Sequence, residues 1–276
     1  MSVPVALTIA GSDPSGGAGI QADLKTFSAW GVYGTAVLTA LTAQNTRGVT
    51  GTHAVPPDFV TAQLHTLLED VRVDAIKIGM LANAGTVHAV AATIRAMPDV
   101  PVILDPVMVA TSGDRLLDED AVAAVRELIP LTSLVTPNVP ESAVLLQTTP
   151  ATDVDGLRDQ AHALLDAGAR RVLLKGGHLD DRSEAVDVFA DGERTHVLRA
   201  PRVATHNTHG TGCTLSAAIA ASTARGAAWP EAVQQAKDYL ARALAASDEL
   251  DIGHGAGPVH HFVDQWRAAA DVTPAG

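Results

Sequence analysis

The sequence has few sulfur-containing and few aromatic side chains. Its 276 residues include one cysteine, and only 3% of them are aromatic. A single cysteine excludes an intramolecular disulfide, so the chain lacks the framework of a small secreted protein. Hydrophobic residues still make up 47% of the chain. Alanine, valine and leucine must therefore fill most of a sizeable core.

Positive charge is also scarce. Lysine and arginine together number 19 against 31 aspartates and glutamates, which gives a formal net charge of −12. No cluster of basic residues is present, so the sequence predicts neither nucleic acid nor a membrane surface as a partner. An anionic ligand would have to be bound locally, by backbone N–H groups, a few cations or a metal ion.

Long apolar runs and several familiar motifs are missing as well. No stretch reaches the roughly 18 apolar residues of a membrane-spanning helix, and the first residues lack the basic segment of a signal peptide. The cytoplasm is therefore the expected location. The sequence contains no G-x-x-x-x-G-K-[ST], no G-x-G-x-x-G and no G-x-S-x-G. A P-loop protein, a dinucleotide oxidoreductase and an α/β-hydrolase are accordingly disfavoured.

What the sequence does contain is an alternation of short β-type runs with longer helical runs. Residues 3–10 predict a buried strand, and the apolar residues Ile20, Leu24 and Phe27 that follow are spaced as in a helix. This alternation predicts a three-layer α/β/α fold whose central sheet is mainly parallel and flanked by helices. The pair Asp191 and Gly192, between two alternating runs, predicts a hairpin that adds a small antiparallel edge.

The chain shows no linker and no clear internal repeat. We therefore expect one domain over residues 1–276, in which residues 250–276 form a tail rich in glycine and histidine. This composition predicts a loosely ordered tail. Residues 34–44 are predicted to form one continuous strand, the second along the chain.

The carboxyl ends of the strands carry the distinctive residues. Ligands bind at this edge of parallel sheets. The segments that fall there are Gly11-Ser12-Asp13, Gln44-Asn45, Gly79-Met80, Asp105-Pro106, Asn138 and Lys175-Gly176-Gly177. One crevice could collect them all.

The segment HGTGCT, residues 209–214, contains the single cysteine. Gly210 and Gly212 allow a tight turn and a close approach to a ligand, and the helix that follows offers unpaired N–H groups to an anion. At the start of this helix, Cys213 is expected to have a stabilised thiolate. The alternative is a small buried cysteine in a helix of small residues.

Carboxylates and lysines supply further candidates, each with two interpretations. Asp105 and Glu141 either provide oxygen ligands for Mg²⁺ or act as turn and cap residues. Asp23 lies within a predicted helix, where a surface position is the default. Lys77 and Lys175 interrupt apolar strands, and a lysine at the end of a buried strand needs an anionic partner. Lys175, beside two glycines, suits nucleotide phosphates, unless its side chain only reaches out to solvent.

Seven segments together resemble a known family. They are AGSDPSGGAGIQADLKTF, TALTAQNTRGV, IKIGML, ILDPVMVATSGDRLL, TPNVPES, LLKGGH and NTHGTGCTLSAAIAA. In this order they resemble the hydroxymethylpyrimidine/phosphomethylpyrimidine kinases of thiamin biosynthesis, which have a ribokinase-like fold. The resemblance extends from residue 3 to residue 244, and GHGAGPVHHF also resembles the family's tail. One departure is Ser142, where the family commonly has alanine.

The resemblance implies an ATP- and Mg²⁺-dependent kinase that acts twice on an aminopyrimidine, first on its hydroxymethyl group and then on the monophosphate. It implies a homodimer. The implied catalytic residues are an anion hole and a base: Gly210, Thr211, Gly212 and, as the base, Cys213. Those implied to bind the pyrimidine are Gln44, which reads its amino edge, with Gly11, Asp23, Met80 and Val107. The resemblance also implies that Asn138 and Lys175 lie near the ATP phosphates. It implies that Asp105 and Glu141 help to hold Mg²⁺.

Two other functions stay open at this point. A pyridoxal or pyridoxine kinase of the same fold would also take a small heteroaromatic ring with a hydroxymethyl group. A relative that binds ligands without catalysis would keep the fold, although the complete set of candidate site residues argues against it.

Overall fold

The structure is a computed structural model that describes residues 2–108, 121–177, 179 and 183–270, with the backbone alone described at 267–270. Parts of two motifs quoted above, residues 109–117 of ILDPVMVATSGDRLL and residue 178 of LLKGGH, lie outside the described residues. So do the first residues of the helix predicted from residue 118 and the last six of the tail.

Strands and helices alternate along the chain as predicted. The strands are β1 Val5–Ala10, β2 Tyr33–Leu38, β3 Ala40–Asn45, β4 Gly48–Ala54, β5 Ala75–Ile78, β6 Val102–Leu104, β7 Leu134–Val135, β8 Val172–Lys175, β9 Glu184–Ala190 and β10 Thr195–Pro201. The helices are α1 Gly19–Ala29, α2 Pro57–Leu68, α3 Ala84–Arg95, α4 Ala121–Leu128, α5 Val139–Leu146, α6 Val154–Asp166, α7 Thr211–Ala224, α8 Trp229–Ala245 and α9 Val263–Ala270. Short 3₁₀ turns occur at Ile129–Leu131 and Ser247–Glu249.

The central sheet has the strand order β10-β9-β8-β7-β6-β5-β1-β2 within the described residues. Neighbouring strands from β8 to β2 pair in parallel, whereas β9 and β10 are antiparallel and join at the predicted Asp191-Gly192 turn. The mainly parallel sheet with an antiparallel edge is thus confirmed.

Apolar side chains leave the sheet on both faces, because successive residues of a strand point in opposite directions. In β6, Leu104 packs in a cluster with residues of α2, α3, α4 and α6, while Ile103 packs on the other face with residues of α7 and α8. In β8, Leu174 and Leu173 divide in the same way. The two clusters give the α/β/α layering, and no described helix is long and apolar enough to cross a bilayer.

The prediction of one strand over residues 34–44 is wrong. The chain leaves the sheet at Thr39, so that β2 pairs with β1 while β3 pairs with β4 in a separate two-stranded antiparallel sheet. The hydroxyl of Thr39 donates to the carbonyl of Met80 (2.5 Å), and its N–H donates to Ala10. These partners are remote in sequence, so the apolar pattern does not reveal the bend.

The expectation of a loosely ordered tail is also wrong for its described part. Val259 and Val263 are fully buried, and α9 begins at the latter. The N–H of His260 donates to the carbonyl of Ala243 in α8, and Tyr239 Oη donates to the carbonyl of His261. The apolar side chains that lie between the polar residues of the tail are buried, and this burial holds the tail against the rest of the molecule.

Candidate active site

A cavity of about 680 Å³ lies where β1, β5, β6 and β8 end, beside the first turn of α7. This is the edge of the sheet at which parallel α/β folds bind ligands. Most of the predicted site residues line it, namely Gly11, Gln44, Met80, Asp105, Val107, Asn138, Glu141, Lys175, Gly210, Thr211, Gly212 and Cys213. Asp23 is not among the lining residues.

The turn before α7 depends on glycine at two positions. Gly210 has φ = 77°, and a Cβ atom there would lie 1.7 Å from the carbonyl oxygen of Gly17. At Gly212 a Cβ atom would lie 3.2 Å from Nζ of Lys175 and 3.4 Å from Oδ2 of Asp105. The turn thus packs tightly against the loop after β1 and brings the helix N-terminus to the lysine. Such an end presents unpaired N–H groups and a positive dipole to an anion.

Cys213 lies at this helix start, yet its thiolate is not stabilised as the sequence suggested. Burial, together with the negative charges of Asp23 and Asp105, raises the pKa of the thiol to about 11. The charge of Lys77 and a hydrogen bond from the N–H of Gly19 act in the opposite direction but do not compensate. The thiol therefore keeps its proton at neutral pH in this structure.

Asp105 and Lys175 form a buried ion pair beside the turn. Lys175 Nζ lies 2.7 Å from Asp105 Oδ1, and the hydroxyls of Thr136 and Ser216 donate to the same carboxylate. Burial alone would raise the pKa of Asp105, but Lys175 and Lys77 hold it below its usual range. Lys175 in turn has a raised pKa, because Asp105 and Glu141 outweigh its own burial. Both groups are thus charged.

Glu141 acts as a cap residue, which is one of the two interpretations that the sequence left open. It forms a capping box at the start of α5, in which its N–H donates to Asn138 Oδ1 (2.9 Å) and its Oε2 accepts the N–H of Asn138 (2.8 Å). Burial and the nearby Asp105 raise its pKa to about 7, despite the opposing charge of Lys175. The cap therefore fixes, at the cavity wall, a carboxyl that titrates near neutral pH.

For Asp23 the sequence left two positions open, the wall of the pyrimidine pocket and the protein surface. The structure places Asp23 in neither position. Both Asp23 and Lys77 have side chains with 0% exposure, and Lys77 Nζ lies 2.8 Å from Asp23 Oδ2. Thr8 Oγ1 donates to the same oxygen, while Asp23 Oδ1 has no partner among the described residues. Lys77 is the member of the pair that lines the cavity.

The lining residues that are absent from the predicted set include several with ionisable side chains. Lys77 was noticeable as a lysine inside an apolar strand. Lys237 Nζ lies 2.7 Å from Asp187 Oδ2, and both line the cavity. Lys237 has no such signal, because α8 is an amphipathic helix in which a lysine is ordinary. His209 and its partner Asp13 also line the cavity.

The described residues contain no group of three or more histidine, cysteine, aspartate or glutamate side chains arranged to hold a metal ion. Any cation at this site would therefore take only part of its coordination shell from the described protein ligands. Asp105 and Glu141 are the carboxyl groups available at the cavity wall beside Lys175.

Comparison with known proteins shows the family of this chain. The family model described as phosphomethylpyrimidine kinase matches residues 13–260. The chain belongs to the phosphomethylpyrimidine kinase family. It is 54% identical to the hydroxymethylpyrimidine/phosphomethylpyrimidine kinase of Escherichia coli, over 95% of this chain and 98% of that protein.

Two solved structures of similar proteins share the fold. An ADP complex of Bacillus subtilis pyridoxal kinase has a TM-score of 0.87 and 37% identity, and the match covers 96% of this chain and all of that one (100%). The phosphomethylpyrimidine kinase of Clostridium difficile has a TM-score of 0.76 and 38% identity, with 87% and 98% covered. The ribokinase-like fold expected for this phosphomethylpyrimidine kinase family member is confirmed.

Proposed function

We propose that this chain is an ATP-dependent kinase of thiamin biosynthesis. It phosphorylates 4-amino-5-hydroxymethyl-2-methylpyrimidine on its hydroxymethyl group and then converts the monophosphate to the diphosphate. Membership of the family supports this proposal. The observation that carries it is the position of the Gly210–Cys213 turn in one cavity with Gln44 and Lys175. An amide that can read an aminopyrimidine, an anion site and a cation thus occupy the same space.

The nucleotide is proposed to bind on the Lys175 side of the turn. Asn138 and Lys175 line this part of the cavity, and Asp187 and Lys237 lie close to it through the register of β8 and β9. Support also comes from the ADP that the pyridoxal kinase neighbour binds. Lys175 is well placed for phosphate groups, since the first turn of α7 adjoins its ammonium group.

Magnesium fits the residues that are present. Mg²⁺ commonly takes one or two carboxylates and completes its shell with water and substrate phosphates, and Asp105 and Glu141 supply two carboxyl groups. When bound, the ion neutralises charge on the phosphates. Because Glu141 has a pKa of about 7, binding at this carboxyl would release a proton from a fraction of the molecules.

The chain's own residues stabilise the transferred charge and accept the substrate proton. The N–H groups at Gly210–Gly212 and the Lys175 ammonium stabilise charge on the moving phosphoryl group. Cys213 accepts the proton of the hydroxymethyl group, which requires that its thiol first lose its own proton. Because Asp105 raises the pKa of this thiol, neutralising Asp105 favours the thiolate. The second acceptor is a phosphate and needs little deprotonation.

The test is a substrate screen with ATP and Mg²⁺ in which both the monophosphate and the diphosphate are followed. We expect both products to form from the hydroxymethylpyrimidine. A coupled assay of ADP release runs in parallel. ATP turnover that does not respond to the pyrimidine would contradict the proposal and favour a binding protein without catalysis.

Pyridoxal kinase activity is the second candidate, favoured by the similarity to the Bacillus subtilis enzyme. Gln44 and the cysteine turn favour the pyrimidine, so we expect a higher kcat/KM for the pyrimidine than for pyridoxal or pyridoxine. A higher value for the pyridine ring would reverse the assignment.

We also propose that residues 1–276 act as one kinase domain and that two copies form a homodimer. The family match over residues 13–260 supports the first point. The resemblance to the family supports the second, which light scattering of the purified protein tests. The cytoplasmic location stays a prediction.

A further inference from the structure

His209 connects three segments that meet at the cavity. Its Nε2 lies 2.7 Å from Asp13 Oδ2 in the loop after β1 and 3.5 Å from Gln44 Nε2 in β3. The backbone N–H of His209 donates to the carbonyl of Gly257 in the tail. The side chain is only 6% exposed, and the next residue begins the Gly210–Gly212 turn. This histidine is therefore buried between the anion site and the amide that is proposed to read the substrate ring.

Asp13 is held as a fixed acceptor for this histidine. Its Oδ1 accepts from the N–H (2.9 Å) and the hydroxyl (2.7 Å) of Ser15, and its Oδ2 accepts from the N–H groups of Gly17 (3.2 Å) and Ala18 (2.8 Å). Burial opposes ionisation, but these hydrogen bonds and His209 hold the pKa of Asp13 below its usual value. An ionised carboxylate only accepts hydrogen bonds. His209 Nε2 therefore carries a proton and donates it to Asp13.

Gly17 allows the histidine to fit. A Cβ atom at this position would lie 2.4 Å from Cδ2 of His209. A side chain there would displace the imidazole from both Asp13 and Gln44. The sequence SGGAG thus serves the packing of a residue almost two hundred positions further along the chain.

Gln44 sits at a β-bulge, where the register between β3 and β4 shifts between Ala43 and Gln44. Bulges redirect side chains. The carboxamide has Thr42 on one side and His209 on the other, with Thr42 Oγ1 3.1 Å from Gln44 Oε1 and 2.9 Å from the carbonyl oxygen of Ser12. The single hydroxyl proton of Thr42 can serve only one of these two acceptors.

The two orientations of the Gln44 carboxamide are therefore not equivalent. With Gln44 Nε2 toward His209, two donor nitrogens face each other. The one proton of the Thr42 hydroxyl then lies beside two acceptors, Gln44 Oε1 and the carbonyl oxygen of Ser12. After a 180° rotation of the carboxamide, Thr42 donates to Ser12 and accepts from Gln44 Nε2, while Gln44 Oε1 lies beside the donor nitrogen of His209, whose proton is accepted by Asp13. In this orientation the Thr42 hydroxyl has one acceptor and one donor, and no two donors face each other.

The rotated carboxamide has one N–H and its oxygen left to hydrogen-bond a ligand in the cavity. A ring nitrogen accepts a hydrogen bond, and an adjacent exocyclic amino group donates one. The free donor and acceptor of Gln44 thus complement the two neighbouring groups on an aminopyrimidine edge.

We propose that Asp13 and His209 are positioning residues that hold the Gln44 carboxamide in this single orientation and so make the cavity selective for rings with an amino group beside a ring nitrogen. This inference rests on the proposed function, because it takes the aminopyrimidine as the substrate. It adds the residues that set the selectivity of Gln44.

The test compares kcat/KM for the hydroxymethylpyrimidine and for its analogue with hydrogen in place of the 4-amino group. In the unmodified enzyme we expect a preference of about tenfold or more for the amino compound, the size of one well-made hydrogen bond. His209→Phe should reduce this preference to near unity, mainly through KM of the pyrimidine, with KM of ATP unchanged. His209→Gln can again place an N–H toward Asp13 and should restore part of the preference.

The chain offers a matched control and a second route to the same answer. His206 is exposed and lies three residues earlier, so His206→Phe should leave the preference intact.

Thr42→Val removes the partner of Gln44 Nε2 from the other side and should also lower the preference. It keeps the inference testable if His209→Phe does not fold. In a Gln44→Ala background, where the preference is already lost, His209→Phe should cause no further change.

Each outcome has a separate meaning. If the unmodified enzyme phosphorylates no pyrimidine, the proposed function fails and the inference fails with it. If the unmodified enzyme prefers the amino compound and folded His209→Phe or Thr42→Val keeps that preference, only the positioning role is overturned. Independent losses from Gln44→Ala and His209→Phe that multiply in the double variant would also overturn it.

Discussion

The thiol of Cys213 is subject to two opposing influences. Its place at the start of α7 favours the thiolate, whereas burial and two nearby carboxylates raise its pKa to about 11. A base of this kind has a role only where the acceptor carries a proton that must be removed. The two proposed phosphorylations differ in this respect.

Cys213→Ala is therefore expected to harm the first phosphorylation more than the second. Loss of a general base costs roughly 10²- to 10⁴-fold in rate, while the second acceptor is already an anion. The measurement is kcat for each acceptor supplied separately. The second step of the same variant is the control for folding and ATP binding, and equal losses in both steps would contradict the role of a base.

Glu141 predicts a pH dependence of stability. Its pKa of about 7 in the folded chain lies above the ordinary value of 4.5, so the folded state binds its proton more tightly than the unfolded state. This contribution is fully present below pH 4.5 and is lost as the pH rises toward 7. It amounts to roughly 3 kcal/mol at most.

Glu141→Gln should flatten this part of the profile of unfolding free energy against pH. Glutamine keeps the capping box, so the change removes the titration and little else. Urea unfolding at a series of pH values measures the effect, and exposed Glu193→Gln is the control. A decline between pH 5 and pH 7 that persists unchanged in Glu141→Gln would assign it to another group.

At the scale of elements, the junction between the Gly210 turn and α7 is the most constrained part of the site. The helix that follows is buried on all sides, with Ala217–Ala221 fully buried. A helix that is apolar all round belongs in the interior. Its small side chains let it pack closely against α1 and α8, and this packing fixes the direction of its N-terminus.

Gly210→Ala tests this constraint, and Gly192→Ala is a matched control. Both glycines have left-handed backbone, with φ of 77° and 86°, but a Cβ atom at Gly192 would meet nothing within 4 Å. The control should lose about 1 kcal/mol of unfolding free energy and keep its activity. Gly210→Ala should lose clearly more and abolish phosphorylation, because the turn must move away from Gly17. Equal effects of the two changes on denaturation and activity would show that the close approach is unimportant.

At the scale of the whole molecule, the tail stabilises the arrangement of the site. The carbonyl of Gly257 accepts a hydrogen bond from the backbone N–H of His209, and Asn207 Oδ1 accepts one from the backbone N–H of Gly257. Val259 is completely buried against the layer of α7 and α8. The tail thus joins the sequence before α7 to the hydrophobic core.

Val259→Ala should therefore lower the free energy of unfolding by about 2 kcal/mol, as expected for a truncated core side chain. Val3→Ala is the control, since Val3 is 62% exposed and its loss should cost little. Denaturant unfolding measures both. Equal, small effects would indicate that the tail does not contribute to the stability of the core.

Much of the fold could be predicted because its signals are local. Each strand and helix has its own periodicity, and the order of these elements requires a layered sheet with ligands at the carboxyl ends of the strands. The glycines of the turn and the lysine inside β8 also mark their positions locally. The bend at Thr39 has no such mark, since it depends on Ala10 and Met80.

The sequence by itself determined the layers of this protein, the edge of the sheet at which its site lies, and the family to which it belongs. Only the tertiary structure decided that Asp23 is buried behind Lys77, that the thiol of Cys213 keeps its proton, and that His209 reaches Asp13. The physical reason is that burial and charge act through space. The last pair is separated by 196 positions in the chain, and neither the loss of solvent nor the distance between two atoms can be read from residues that are adjacent in sequence.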